Sequence, residues 1–335
     1  MFNLKFRFAA VRWPLLAFMV LVVVAGLLML FMRAPQEPLR IGLNAWPGYE
    51  FLYLAQQKGF YREGGVEVRL VEFNSLSDAR RAYERGQLDG LGTTVVEVLQ
   101  ARSQPGRNLQ VVDVIDYSDG ADVILAKPTR TGKESLRGAR VGVELGSLGI
   151  YVLARALEEQ GLTLKDITPI ALDQLSMQEA FGKGELDAMV TYPPVSIAMM
   201  KDGKAAVLYS TAKIPGEVVD VIAMDEKMVR EQTVAVSKLL KAFRRAMDFH
   251  ASNPAEANKI MAEREGITPE EFAIVLSDGI RLVPASEQAL YLGQSGKLSV
   301  VVDRTDRILR ASGQLSGEDQ RAGAFTDRFV KPLAP

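Results

Sequence analysis

The sequence predicts an α/β protein of two similar lobes preceded by an apolar N-terminal helix. Three observations carry this reading. The phrase Gly86-Gln-Leu-Asp89-Gly-Leu-Gly-Thr93 returns 98 residues later as Gly184-Glu-Leu-Asp187-Ala-Met-Val-Thr191. Each copy follows a matched strand opening, Arg40-Ile-Gly-Leu43 and Arg140-Val-Gly-Val143. From Leu39 onward, short apolar runs alternate with amphipathic stretches, as parallel α/β structure requires. A unit of this length occurring twice is a duplicated lobe, because solenoids need at least about three shorter repeats. A cleft between two lobes is a natural place to hold a small solute.

The elements follow in order. Strands are expected at Leu39–Asn44, Val66–Val71, Leu88–Leu91, Leu109–Asp116 and Ala121–Ala126, the last two separated by the turn Tyr117-Ser-Asp-Gly120. Helices are expected at Phe51–Lys58, Leu76–Glu84 and Thr94–Ala101. The polar stretch Lys127–Gly138 reads as the first crossing between lobes. The second lobe then runs through strands Ala139–Val143, Ile167–Leu172 and Leu186–Thr191 and helices Leu148–Glu159, Met177–Phe181 and Val195–Lys201. Ile214-Pro-Gly216 marks the return crossing, and strand Val218–Met224 rejoins the first lobe. The remainder is mainly helical: Val234–His250, then Ala255–Glu263 after the break at Asn253-Pro254, then a helix start at Thr268-Pro-Glu-Glu271 with proline at its first position and acids in its first turn. The expected organisation is a stub and signal anchor at 1–34, a linker at 35–38, one lobe from 39–126 and 218–335, and the other from 127–217.

Composition narrows the function. Apolar residues make up 48% and charged residues 24%, which is globular. The first 34 residues carry Lys5, Arg7, Arg12 and Arg33 and no acid, leaving 36 basic and 41 acidic residues in the rest, a net of −5. That mildly acidic body has no electrostatic footprint for nucleic acid. Pro14 to Met32 is 19 residues without a charge. As a helix it spans about 28 Å, close to the ~30 Å hydrocarbon core. Three basic residues precede it and one follows, which keeps the N-terminus cytoplasmic and puts the body outside. A single-pass anchor is expected. A long cleavable signal peptide is the alternative. With no cysteine, disulfides, thiolate metal sites, Cys nucleophiles and a lipidated Cys tether are all excluded.

Several segments in order resemble the periplasmic solute-binding proteins of ABC importers, in the branch that takes nitrate, sulfonates, taurine and thiamine-pyrimidine precursors. They are Asn44-Ala-Trp-Pro-Gly48, Leu54-Ala-Gln-Gln-Lys-Gly-Phe-Tyr61, Gly86-x-Leu-Asp89 with Thr93-Thr94, Asp119-Gly-Ala-Asp122, Leu136-Arg-Gly-Ala-Arg-Val-Gly142, Thr191-Tyr-Pro-Pro194 and Pro215-Gly-Glu-Val-Val-Asp220. The resemblance spans roughly residues 39–280. It implies a two-lobe periplasmic-binding-protein fold of type II kind that closes over one small molecule and presents it to a membrane permease. Two departures stand out: the chain is expected to keep a protein anchor, and its loop ends carry acids where anion-binding relatives favour neutral or basic clefts.

Site candidates follow from the rule that ligands sit beyond the carboxyl ends of strands in open α/β sheets. Asn44, Trp46 and Tyr49 follow the first strand; the two aromatics are either walls of the site or packing beneath the adjoining helix. Thr93 and Thr94 stand at a helix start, as caps or as ligand contacts. Ser147, in Leu145-Gly-Ser147-Leu-Gly149, stands at a helix N-terminus suited to a sulfonate, phosphate or carboxylate oxygen, or simply caps it. Asp116 and Asp119, with Asp122, form either a solvated turn or a counter-charge for a cationic ligand, which Asp220 can join. Tyr192, stiffened by Pro193 and Pro194, makes a third wall. Asp89 and Asp187 belong to the repeat and read as structural.

His250, the only histidine, lies late in a helix, and no hydrolase or transferase set assembles around it. No metal or cofactor motif is present: EF-hand and dinucleotide spacings are both absent. The expectation is a monomeric, non-enzymatic receptor for an ABC importer. A membrane-tethered sensor is the alternative. An enzyme like the pyrimidine-synthesising relatives would need reactive His and Cys. The charge of the solute stays open, since helix N-termini favour an anion and the aspartates a cation; an amino-sulfonate satisfies both.

Overall fold

A computed structural model of the chain describes residues 18, 19, 21, 37–130, 132, 134–201, 203 and 205–330. The chain divides into Met1–Pro38 and Leu39–Pro335. Of the expected membrane helix, all but Phe18, Met19 and Leu21 lies outside the described residues. Among the described residues no helix is long and apolar enough to cross a membrane.

Residues from Leu39 onward build two sheets. The strands are β1 (Leu39–Leu43), β2 (Val68–Glu72), β3 (Gly90–Thr94), β4 (Leu109–Ser118), β5 (Val123–Ala126), β6 (Arg140–Val143), β7 (Thr168–Ala171), β8 (Ala188–Thr191), β9 (Ala206–Ser210), β10 (Val219–Asp225) and β11 (Ile280–Leu282). One sheet has the order β11-β4-β10-β3-β1-β2 and the other β7-β6-β8-β5-β9. The shared pattern is plain. β1 lies parallel between β2 and β3, as β6 lies between β7 and β8, and an antiparallel strand follows in each case, β10 beside β3 and β5 beside β8.

The repeated phrases account for this likeness residue by residue. The Arg40 guanidinium donates to both oxygens of Asp89 at 2.7 and 3.0 Å, and its backbone N–H to Oδ2 at 2.9 Å. Arg140 repeats the arrangement on Asp187, with backbone N–H to Oδ2 at 2.9 Å. Glycine two positions after the arginine leaves room for the leucine of the phrase. A Cβ at Gly42 would lie 2.6 Å from Leu88 Cδ1, and one at Gly142 would lie 2.6 Å from Leu186 Cδ1. Each half thus closes its central strand pair with the same ion pair and the same glycine–leucine contact.

The crossings differ from the sequence reading. Ala121–Ala126 was expected in the first lobe, with the crossing at Lys127–Gly138. Instead β5 pairs with β8 and β9 of the second sheet, so the chain crosses at Asp119–Asp122. It returns between Ser210 and Val219. The two crossings are bonded together. Thr211 Oγ1 accepts from Gly120 N at 2.9 Å and lies 2.6 Å from Ser118 Oγ, while Thr211 N donates to Asp122 O at 3.0 Å. The short strands β9 and β11 were not anticipated.

The helical C-terminal part covers the first sheet and the crossings. The Thr233–Ser252 helix buries Val236, Leu239, Leu240 and Phe243, and Phe243 meets Phe51 edge to face at 6.4 Å. The Lys297–Ala311 helix sends Arg304 to Glu217 in the return crossing at 2.7 Å. Glu217 also receives Arg155 of the second lobe at 2.9 Å and the Tyr151 hydroxyl at 2.9 Å.

Candidate functional site

Asn44, Trp46, Tyr49, Leu76, Asp122, Leu148, Tyr192 and Asp220 surround a cavity of about 10 Å³ between the two sheets. Room for about one water remains at this degree of closure. The walls are the aromatics named from the sequence. Trp46 lies 6.5 Å from Tyr49 and 6.1 Å from Tyr192, the latter edge to face. All three are buried. Asn44 Nδ2 donates to the Tyr192 hydroxyl at 3.1 Å, joining the end of β1 to the end of β8 across the cleft.

Trp46 is held in its turn by an acid. Its indole N–H points at Asp116 Oδ2 at 3.4 Å. Gly48 makes this possible, since a Cβ there would fall 1.8 Å from the same oxygen. Asp116 stands opposite Asp220 in the β4–β10 register, and Asp220 opposite Thr94 in the β10–β3 register. The Tyr49 hydroxyl donates to Asp220 Oδ1 at 2.5 Å.

The cleft is acidic throughout. Asp116, Asp122, Asp220, Glu97 and Glu144 are all buried. Burial pushes Asp122 up to about 7 and Glu144 up to about 8, and the nearby Glu97 adds to both. Burial raises Asp116 and Asp220 as well, with repulsion from neighbouring aspartates second to it for Asp220. Among the described residues, Asn44 Oδ1 and one oxygen each of Asp116 (Oδ1), Asp122 (Oδ2), Glu144 (Oε1) and Asp220 (Oδ2) have no partner. Among the described residues no lysine or arginine lines the cavity.

Ser147 and Asp119 sit differently from expectation, and Thr94 takes the cap role it was offered. Ser147 begins the Leu148–Glu159 helix, but a carboxylate of the protein occupies that terminus. Glu97 Oε1 accepts from Ser147 Oγ and from Leu148 N, each at 2.8 Å. Its other oxygen accepts from Thr94 Oγ1 at 2.5 Å and Thr94 N at 3.3 Å, and Thr94 Oγ1 caps Val96 N at 3.1 Å. Thr94 is therefore a helix cap. Asp119 does not join the acids: it is paired with Arg281 at 3.0 Å beside the crossing. Thr93 is buried on β3 with its hydroxyl unpartnered. Asp122, grouped with the turn in the sequence, is the second carboxylate of the cavity. Glu97 escaped the sequence reading because Thr94-x-x-Glu97 is a capping-box spacing and explains itself locally. His250 lies away from the cleft, 2.9 Å from Asn258 Oδ1 and edge-on to Phe51.

Two lobes of one topology, joined by two crossings around an aromatic cleft, define the periplasmic-binding-protein fold. The chain belongs to the NMT1/THI5-like family, whose model matches residues 46–257. It is 22% identical to the taurine-binding periplasmic protein of Escherichia coli over 284 residues, covering 81% of this chain and 86% of that one. It is 23% identical to the 4-amino-5-hydroxymethyl-2-methylpyrimidine phosphate synthase of Aspergillus parasiticus over 236 residues, 64% of this chain and 66% of that one. Among solved structures, the alkanesulfonate-binding protein SsuA of Xanthomonas axonopodis pv. citri bound to MOPS superposes with a TM-score of 0.73 at 22% identity, over 87% of this chain and 99% of that one. This last likeness shows the fold.

Proposed function

We propose that the chain is the substrate-binding component of an ABC-type importer, with its body outside the cytoplasmic membrane, taking a small nitrogen- or sulfur-containing organic solute of the sulfonate, taurine or nitrate kind. The observation that carries this reading is the cleft itself. Trp46, Tyr49 and Tyr192, from both lobes, meet around buried polar groups at the strand ends, where open α/β sheets bind ligands. Family membership and the taurine-binding relative support it. Pro14–Met32 is the membrane tether in this reading, and the site residues are Asn44, Trp46, Tyr49, Asp122, Tyr192 and Asp220.

Closure is the working motion. The segments Asp119–Asp122 and Thr211–Val218 serve as hinges, tied to each other through Thr211 and Ser118. Opening breaks Asn44–Tyr192 and Glu97–Ser147, and a ligand that bridges the lobes shifts the population toward the closed form that the permease reads. The cavity is too small for an organic solute until the lobes part. The chain is read as non-enzymatic, because it has no cysteine and its one histidine lies outside the cleft.

A thermal-shift titration of the full chain in detergent tests this. A ligand at 100 times its dissociation constant adds about 2.7 kcal/mol of stability. A saturable rise with some small organic solute, lost in Trp46→Ala, is expected. Uptake that is unchanged when the partner permease is deleted would replace transport with sensing.

A further inference from the structure

The cleft has a chemistry of its own that bears on what it holds. Resting on the solute-binding reading above and narrowing it, we infer that the solute carries a cationic nitrogen group, an ammonium, amidinium or guanidinium, alone or beside a sulfonate as in taurine, seated between Trp46, Tyr49 and Tyr192 with Asp122 and Asp220 as counter-charges, and that Glu97 fills the helix N-terminus a lone anion would use.

Three residues that line the cavity, Asn44, Asp122 and Asp220, each keep a buried oxygen without a partner, and Asp116 does so behind them. Asn44, Asp122 and Asp220 are each 2% exposed and Asp116 is fully buried, yet each keeps one oxygen unpartnered. An unpaired buried acceptor costs about 1–3 kcal/mol, so three around one cavity favour a ligand that brings several N–H donors. A cation would also hold Asp122 and Asp220 ionised against the burial that raises both, which an anion would not. The surrounding charges point the same way: the charges acting on Asp220 are Asp116, Asp122 and Glu97, all acids.

The one feature suited to an anion is already filled. The N-terminus of the Leu148–Glu159 helix presents the Ser147 hydroxyl and the Leu148 N–H, a pair that would hold a sulfonate or carboxylate oxygen. Glu97 holds both from the opposite lobe at 2.8 Å. The aromatic walls complete the case, since a cation over such rings gains about 0.5–2 kcal/mol. A metal ion fits less well, because among the described residues no three His, Cys, Asp or Glu side chains converge closely enough to hold one.

The test is a panel of small ligands titrated against the full chain in detergent, read by thermal shift and calorimetry. Ethylammonium, benzamidine and methylguanidine form one arm, methanesulfonate and nitrate a second, and taurine a third. At least one cation is expected to bind saturably, with affinity falling tenfold or more in Asp220→Asn or Asp122→Asn, as loss of a charged hydrogen bond predicts. Two carboxylates are named so that one variant remains if the other fails to fold. Taurine binding supports the inference only if ethanesulfonate, which lacks the ammonium, does not bind. Binding of methanesulfonate or nitrate with no cation response overturns the inference and leaves the solute-binding reading intact. No response in any arm overturns both.

Discussion

Glu97 of the first lobe caps a helix of the second. Its Oε1 accepts from Ser147 Oγ and Leu148 N at 2.8 Å each, while Oε2 stays with Thr94 in its own lobe. One side chain therefore closes two helix starts, at Thr94 and Ser147, and joins the two lobes beside the cleft.

Replacing Glu97 by glutamine keeps the shape and removes the charge that favours a helix N-terminus. Hydrogen bonds to charged groups contribute about 1.5–3 kcal/mol. Glu97→Gln is expected to lose stability on that order in denaturant titrations and to populate an open form with a larger radius of gyration in solution scattering. An unchanged stability and radius would mean that the contact does not hold the lobes.

The acids of the cleft give stability a defined pH dependence. Asp122 is held up at about 7 and Glu144 at about 8 by burial. In the unfolded chain such groups ionise near pH 3.9 and 4.3, approximately. Between those limits the folded state binds more protons, so stability is greatest at the acid end and falls as pH rises through about 8, by up to about 1.4 kcal/mol per pH unit for each proton. Melting temperature should decline from pH 5 to pH 8, and Asp122→Asn should flatten the decline. A flat wild-type profile would place these carboxylates in water.

Gly48 lets Trp46 reach Asp116. A Cβ there would sit 1.8 Å from the carboxylate oxygen, so something must move. Gly48→Ala is expected to cost about 1–3 kcal/mol, as overpacking in a closed interior does. Trp fluorescence should shift as the indole leaves its acid. Retention of both stability and spectrum would show that the turn accommodates the methyl freely.

The Arg40–Asp89 pair belongs to the scaffold. Asp89 takes three hydrogen bonds from Arg40, and its side chain is 13% exposed. Asp89→Ala should destabilise by about 1–3 kcal/mol while leaving the affinity of any ligand within a factor of two. In the second lobe Asp187 is held down at about 2 by hydrogen bonds from Arg140. Its contribution is present above about pH 4 and lost as pH falls through 2. An affinity change in Asp89→Ala that exceeds its effect on stability would move the pair into the binding machinery.

The lobe plan was legible because the repeat is physical: Arg40 with Asp89 and Arg140 with Asp187 perform one task, so the same residues recur at the same spacing. Asn44, Trp46, Tyr49, Tyr192 and Asp220 were legible because strand ends are where these sheets present side chains. Glu97 was not, since its partners on Ser147 and Leu148 lie in the other lobe and nothing local requires them. Asp119 was misplaced for the converse reason. It lies next to Asp116 and Asp122 in sequence, but the crossing turns it toward Arg281. β5 follows β4 after a turn sequence and was expected in the first lobe with it, and only its pairing with β8 and β9 assigns it to the second sheet.

Because β10 lies between β3 and β4, the interior of the first sheet is filled by a strand made more than a hundred residues after its neighbours. The strands made first must therefore wait, with the slot between β3 and β4 unfilled, until residues up to 225 are available to pair. A nascent chain stalled before that point would expose two unpaired edges, which is where a holding chaperone would find it.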